Sequence, residues 1–123
     1  MAFIGTYKRK VQRGGWVRFP KDWLTLLGNN RIFIMPDPKG GKSLLIVPAA
    51  EFNKELKRLS SMKVPKDVLI VLGKAIEQVE IAADGRMRIS AKLLAYAGIT
   101  GDASFSGNMR TITLWTRRAG TEI

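Results

Sequence analysis

The sequence predicts a mostly β fold with short helices, an α+β arrangement carrying two tandem repeats. Three observations lead there. Short alternating apolar runs recur between Gly, Pro and Asp-Gly turn signals. The segments 11–20 (VQRGGWVRFP) and 81–90 (IAADGRMRIS) follow one pattern, and a helix-start signal closes each. Aligning Gly15 with Gly85, an offset of 70, also brings Arg18 onto Arg88, Leu24 onto Leu94 and Gly28 onto Gly98. Start and stop signals that keep register in this way point to an internal duplication.

Each copy opens with a strand. Tyr7, Arg9 and Val11 share one face and Lys8 and Lys10 the other; Val79 and Ile81 oppose Gln78 and Glu80 in the second copy. A glycine turn follows, QRGG in one copy and AADG in the other. In the return strand Val17 and Phe19, like Met87 and Ile89, face the core, which leaves Trp16, Arg18, Arg86 and Arg88 outward. Pro20 suits a first helical position and Ser90 an N-cap. Trp23, Leu24 and Leu27 form an apolar stripe that Leu93, Leu94 and Ala97 repeat, and Gly28 and Gly98 suit the helix ends. The strands RIFIMP and SLLIVP complete the first copy, ASFSG and RTITLW the second. Between the copies, residues 49–61 read as an amphipathic helix with Phe52, Leu56 and Leu59 on one side. A second helix starts after Pro65.

Charge and missing residues narrow the function. The chain holds 21 Lys and Arg against 10 Asp and Glu, a formal charge of +11. Such an excess points to a polyanionic partner, nucleic acid first. An anionic membrane surface would need a basic amphipathic helix, which the sequence does not offer. With no His and no Cys, a Ser-His-Asp triad, a cysteine nucleophile and the usual zinc sites are excluded. The ten acids form no pair at active-site spacing, so neither an enzyme nor a small-molecule substrate is expected, and no cofactor or metal. Gly41-Lys42-Ser43 imitates the end of a phosphate-binding loop. Pro36 stands where that loop needs Gly, and β-rich LLIV follows, so a hairpin turn is expected instead. No targeting or membrane-spanning segment is visible, and a cytoplasmic protein is the expectation.

GRMRISAKLLAYAG and its twin resemble the looped-hinge unit of AbrB/SpoVT swapped-hairpin DNA-binding proteins. The whole order, from about Gly5 to Trp115, resembles the MraZ family, most specifically in LLIVPAAEF (44–52), GKAIEQVEIAADGRMRIS (73–90) and GNMRTITLW (107–115). The resemblance implies one domain over 1–123: repeat one at 5–48, a helical connector at 49–74, repeat two at 75–116 and a short tail at 117–123. It implies two swapped-hairpin repeats closed into a pseudo-twofold β-barrel. It further implies a bacterial, nucleoid-associated transcriptional regulator that forms ring-shaped homo-oligomers on promoter repeats of double-stranded DNA. That family's DNA-contacting signature is Asp-x-x-x-Arg at each hairpin tip. Here the positions hold Gln12 and Trp16, then Ala82 and Arg86, so one signature residue of the four is kept.

The candidate DNA-binding residues are Lys8, Lys10, Arg13, Trp16, Arg18, Arg86 and Arg88. Residues 1–21 contain no acid, so Lys8, Lys10, Arg13 and Arg18 form either a basic solvated edge or a set of phosphate contacts. Arg86 serves as a phosphate or guanine contact, or pairs with Asp84. Trp16 meets DNA or a neighbouring subunit; Arg88 meets DNA or forms an inter-subunit salt bridge. The competing function is a ring-forming interaction protein without sequence-specific DNA binding; a third is general nucleic-acid binding, RNA included, although the sequence holds no aromatic array like those that stack single-stranded bases.

Overall fold

Alternating apolar and polar residues demand a sheet with one buried face. The computed structural model describes residues 2–38 and 41–116, so the tail at 117–123 lies outside the described residues. Its strands are β1 (Thr6–Lys10), β2 (Trp16–Arg18), β3 (Arg31–Pro36), β4 (Leu44–Pro48), β5 (Glu77–Glu80), β6 (Arg86–Arg88), β7 (Asp102–Asn108) and β8 (Thr111–Trp115). The helices are α1 (Lys21–Leu24), α2 (Phe52–Ser61), which follows a 3-10 turn at Ala49–Glu51, α3 (Lys66–Ala75) and α4 (Ala91–Ala97).

Six strands form one antiparallel sheet in the order β1-β7-β8-β4-β3-β5. The outer strand of each half pairs with a strand of the other half: β1 runs along β7, with Lys8 opposite Ser104, and β5 along β3, with Glu80 opposite Arg31. At the centre β4 meets β8, with Ile46 opposite Ile112. The order therefore reads alike from both edges once the halves are exchanged. The remaining strands, β2 and β6, pair only with each other: Trp16 faces Arg88, Val17 faces Met87 and Arg18 faces Arg86. The expected closed barrel is not what forms. With β2 and β6 in a separate three-residue ribbon, no strand among the described residues pairs edge β1 with edge β5, and the sheet stays open.

The ribbon and helices cover the inner face of the sheet. Val17 and Met87 from the ribbon, and Trp23, Leu27, Leu93 and Ala97 from α1, α4 and the turn after α1, pack on Ile32, Ile34, Ile46, Phe105, Ile112 and Leu114. Each fully buried side chain of this size contributes about 1.5–3 kcal/mol. Trp23 meets Tyr7 edge-on at 4.9 Å, and Phe19 meets Phe105 at 5.9 Å. On the outer face of β3 and β4, Met35, Leu45 and Val47 are covered by α2, whose Phe52 stacks on Phe33 at 3.9 Å. The buried stripe of α2 is turned slightly from the expected one. Glu55 and Leu59 are buried, whereas Leu56 is exposed, because Glu55 receives the Arg58 guanidinium (Nε–Oε1 3.2 Å) and can tolerate the inner position.

The helix start and stop signals hold for α4, whereas α1 already ends at Leu24 with Thr25 as its cap, so Gly28, expected at that helix end, lies in the turn beyond it. The Leu93 N–H donates to Ser90 Oγ at 3.2 Å, and α4 ends on left-handed Gly98. Pro20 is extended (ψ 125°) and precedes the helix as its cap, so Lys21 is the first helical residue. The segment around Gly41-Lys42-Ser43 joins β3 to β4 as a hairpin connection, in which the Asp37 N–H donates to the Ser43 carbonyl at 3.0 Å. No helix among the described residues is long and apolar enough to cross a membrane.

The two glycine turns fasten the halves together. The Gly15 N–H closes on the Gln12 carbonyl (3.0 Å) and the Gly85 N–H on the Ala82 carbonyl (2.8 Å). Each glycine carbonyl then accepts from the opposite half: the Ile89 N–H donates to Gly15 O at 2.9 Å and the Phe19 N–H to Gly85 O at 2.8 Å. Gly15 has φ +86°, and a Cβ there would stand 2.1 Å from the Ile89 carbonyl oxygen. Gly15→Ala is expected to cost about 1–2 kcal/mol from backbone conformation alone, and more from the clash. Gly28→Ala, also at positive φ but with open space around its Cβ, serves as the control. Denaturant unfolding of both variants checks this, with Gly15→Ala the less stable of the two.

Candidate nucleic-acid interface

Alternation in a two-stranded ribbon sends every second side chain to one face. In β2 and β6 the central Val17 and Met87 are buried, which throws Trp16, Arg18, Arg86 and Arg88 onto the opposite, exposed face. A type of turn that ends on a left-handed glycine lies at each end of this ribbon. Arg13, exposed, occupies the first turn. Five of the seven residues named from the sequence thus share one surface.

Two of the arginines are anchored across the halves. Arg18 Nη1 donates to the Asp84 carbonyl at 3.0 Å, and Arg88 Nε donates to the Gly14 carbonyl at 2.8 Å. Each caps the turn of the other copy, and this holds the guanidinium planes along the ribbon while leaving further N–H donors directed outward. Arg86 is held differently. Its Cζ lies 5.8 Å from the centroid of the Trp16 ring, and its Nε donates to Asp84 Oδ2 at 3.0 Å. The ion pair expected as one reading of Arg86 is therefore present. Both partners are about half exposed (59% and 48%), so water screens the pair strongly and its loss is cheap. Trp16, 42% exposed, stands opposite Arg88 in the ribbon with the Arg86 guanidinium over its ring.

Lys8 and Lys10 are not brought to this surface. Tyr7, their neighbour on β1, packs toward the core, so the two lysines point from the other face of the sheet. They share a hollow there with Asp102, Ser104 and Trp115. What sequence reasoning missed is the set of cross-half anchors, Arg18 on Asp84 and Arg88 on Gly14. No local spacing signals them; only the pairing of β2 with β6 creates them.

Among the described residues, no group of three or more His, Cys, Asp or Glu could hold a metal ion. Compared with protein-family models and with curated proteins, the chain matches none.

The Arg86 N–H, hydrogen-bonded to Asp84 Oδ1 at 3.1 Å, holds the Asp84 carboxyl below the usual carboxylate range; the Arg86 and Arg18 charges act in the same direction. A carboxyl with a lowered folded-state pKa stabilises the turn above the ordinary aspartate range and loses that contribution as pH falls through its folded value. The Arg86 amide resonance should consequently titrate with a midpoint below that of an unstructured aspartate. An NMR pH titration checks it, and the inflection should vanish in Asp84→Asn.

Proposed function

We propose that the chain is a DNA-binding transcriptional regulator related to the MraZ family, built from two swapped-hairpin units and acting in the cytoplasm at the nucleoid. The observation that supports this best is the ribbon face: Trp16, Arg18, Arg86 and Arg88 displayed together, with Arg13 at its end. Strands in a ribbon stand about 4.8 Å apart, and the major groove, about 12 Å wide, admits such a ribbon with its side chains. Arg13, Arg18 and Arg88 supply phosphate contacts and orientation. Arg86 supplies base reading, since a guanidinium matches guanine O6 and N7 in bidentate fashion. Trp16 lies beside it as an apolar surface for a thymine methyl. The formal charge of +11 gives long-range attraction to the duplex. The reciprocal strand order and the offset-related turns support the duplicated, swapped-hairpin reading.

Duplex binding should weaken steeply with salt as neutralised phosphates release their counterions. Arg86→Ala should cost about 1–3 kcal/mol on the preferred sequence and less on random duplex. Asp84→Asn keeps an acceptor for the Arg86 N–H but removes the competing charge, and should strengthen binding. Titration of labelled duplexes at matched salt checks both; affinity that ignores both changes would remove the ribbon from the account.

Self-association belongs to the same proposal. On α3, Ile70 and Val71 are 60% and 65% exposed, beside exposed Val68, and isolated soluble chains rarely display such a cluster on one helix. Burying this face between copies yields the ring, and weak ribbon contacts then add through effective concentration. This exposed face is also what favours the second reading, a ring-forming interaction protein that does not read DNA; the duplex titrations separate the two. Ile70→Lys with Val71→Lys should shift light scattering from a multimer to the single-chain mass without loss of helix by circular dichroism.

A further inference from the structure

The outer face of the sheet is written differently in its two halves. On β3 and β4 the outward residues are Phe33, Met35, Leu45 and Val47, and α2 covers them. On β7 and β8 the residues in the corresponding pairs are Ser104 with Trp115 and Ser106 with Thr113. Such a hydroxyl-lined surface offers an apolar helix little to bury, and it suits a ligand that exchanges hydrogen bonds. Edge strand β1 continues the surface with Lys8 opposite Ser104 and Lys10 opposite Asp102. Lys8, Arg9, Lys10, Asp102 and Ser104 line a hollow of about 390 Å³ that Trp115 and Thr116 close. A separate hollow of about 740 Å³ lies beside α2, where Lys54, Lys57, Arg58 and Arg110 stand among Glu51 and Glu55.

The geometry points to single-stranded RNA as the ligand of this surface, separate from the duplex-facing ribbon. Three features select it. Lys8 and Lys10, adjacent outward positions on one strand, stand about 7 Å apart, close to the phosphate spacing of an extended strand. Trp115, whose Nε1 donates to Ser106 Oγ at 2.9 Å, holds its indole fixed at the wall, and a base splayed from a single strand can stack there. Asp102 decides the sugar. A carboxylate beside two lysines opposes a bare phosphate chain, but it accepts a hydrogen bond from a ribose 2′-hydroxyl, the group that distinguishes RNA from DNA. No ion pair joins that carboxylate to Lys10 or to another described residue. A duplex is too wide to reach the recessed hydroxyls, whereas one extended strand is not.

The inference stands independently of the duplex proposal, because the two surfaces lie on opposite sides of the core. Anisotropy of the 123-residue chain with a labelled oligouridylate of about ten nucleotides, its deoxy counterpart and a labelled duplex tests it. The ribo-oligomer should bind roughly tenfold tighter than the deoxy-oligomer. Lys8→Ala with Lys10→Ala should weaken RNA binding by roughly tenfold and spare the duplex. Asp102→Ala should erase the preference for ribose while leaving the deoxy-oligomer bound as well or better. Arg86→Ala should leave RNA binding unchanged, and saturating duplex should not displace it. Equal affinity for the two oligomers, loss of RNA binding in Arg86→Ala, or displacement by duplex would overturn the assignment. Absence of duplex binding with the RNA pattern intact would instead remove the DNA proposal and leave this one standing.

Discussion

The structure turns on two glycines that must let the opposite half of the chain come close. Gly15 leaves only the space its missing side chain vacates, with the Ile89 carbonyl where a Cβ would be. Gly85 faces the Phe19 carbonyl less closely, a Cβ there standing 3.3 Å from its oxygen, and its φ of +92° adds the demand for glycine. Each turn is stitched to the strand of the other half, so β2 and β6 form a ribbon that keeps only the turn-proximal bonds of its own hairpins, Gln12 N–H to the Trp16 carbonyl and Ala82 N–H to the Arg86 carbonyl. Those outer strands then pair within the sheet, β1 with β7 and β5 with β3. The open sheet, the covered core and the arginine face all follow from that close approach.

The division of surfaces is a consequence of the same layering. The core occupies one side of the sheet, so every residue that alternates away from it must find helix, solvent or ligand on the other side. Where the outward residues are apolar, α2 supplies the cover, anchored by Phe52 on Phe33. Where they are hydroxyls, none of the described helices does. Positive charge is divided as well: arginines on the ribbon, lysines on β1. Arginine suits the ribbon because its planar fork can cap a carbonyl and still offer donors outward, as Arg18 and Arg88 do.

Arg86 illustrates how a contact can be both structural and available. It touches Asp84 and the Trp16 ring at once, yet it remains well exposed. Exposed ion pairs contribute about 0–1 kcal/mol, far less than a bidentate contact to a base is worth in discrimination. The Asp84 pairing therefore orients Arg86 in the free protein and competes only weakly with an incoming anion.

Local chemistry settled a great deal by itself. Strand alternation placed Val17, Phe19, Met87 and Ile89 inside and Trp16, Arg18, Arg86 and Arg88 outside, because side chains two apart on a strand must share a face. Ser90 and Gly98 marked the ends of α4, since an N-cap acceptor and a left-handed residue are local requirements. The offset of 70 put corresponding turns in register. Leu56 shows the limit of such reasoning: helical periodicity allowed two adjacent stripes on α2, and the choice between them depended on the Glu55–Arg58 pair and on what β3 and β4 presented. Strand partners are equally non-local. No residue of β2 states that it will pair with β6 and leave the sheet open where a barrel was expected, and nothing in Lys8 or Lys10 states that the core will stand between them and the ribbon. Those outcomes were decided by which halves could approach closely enough at Gly15 and Gly85, a fact of three-dimensional packing that sequence spacing does not carry.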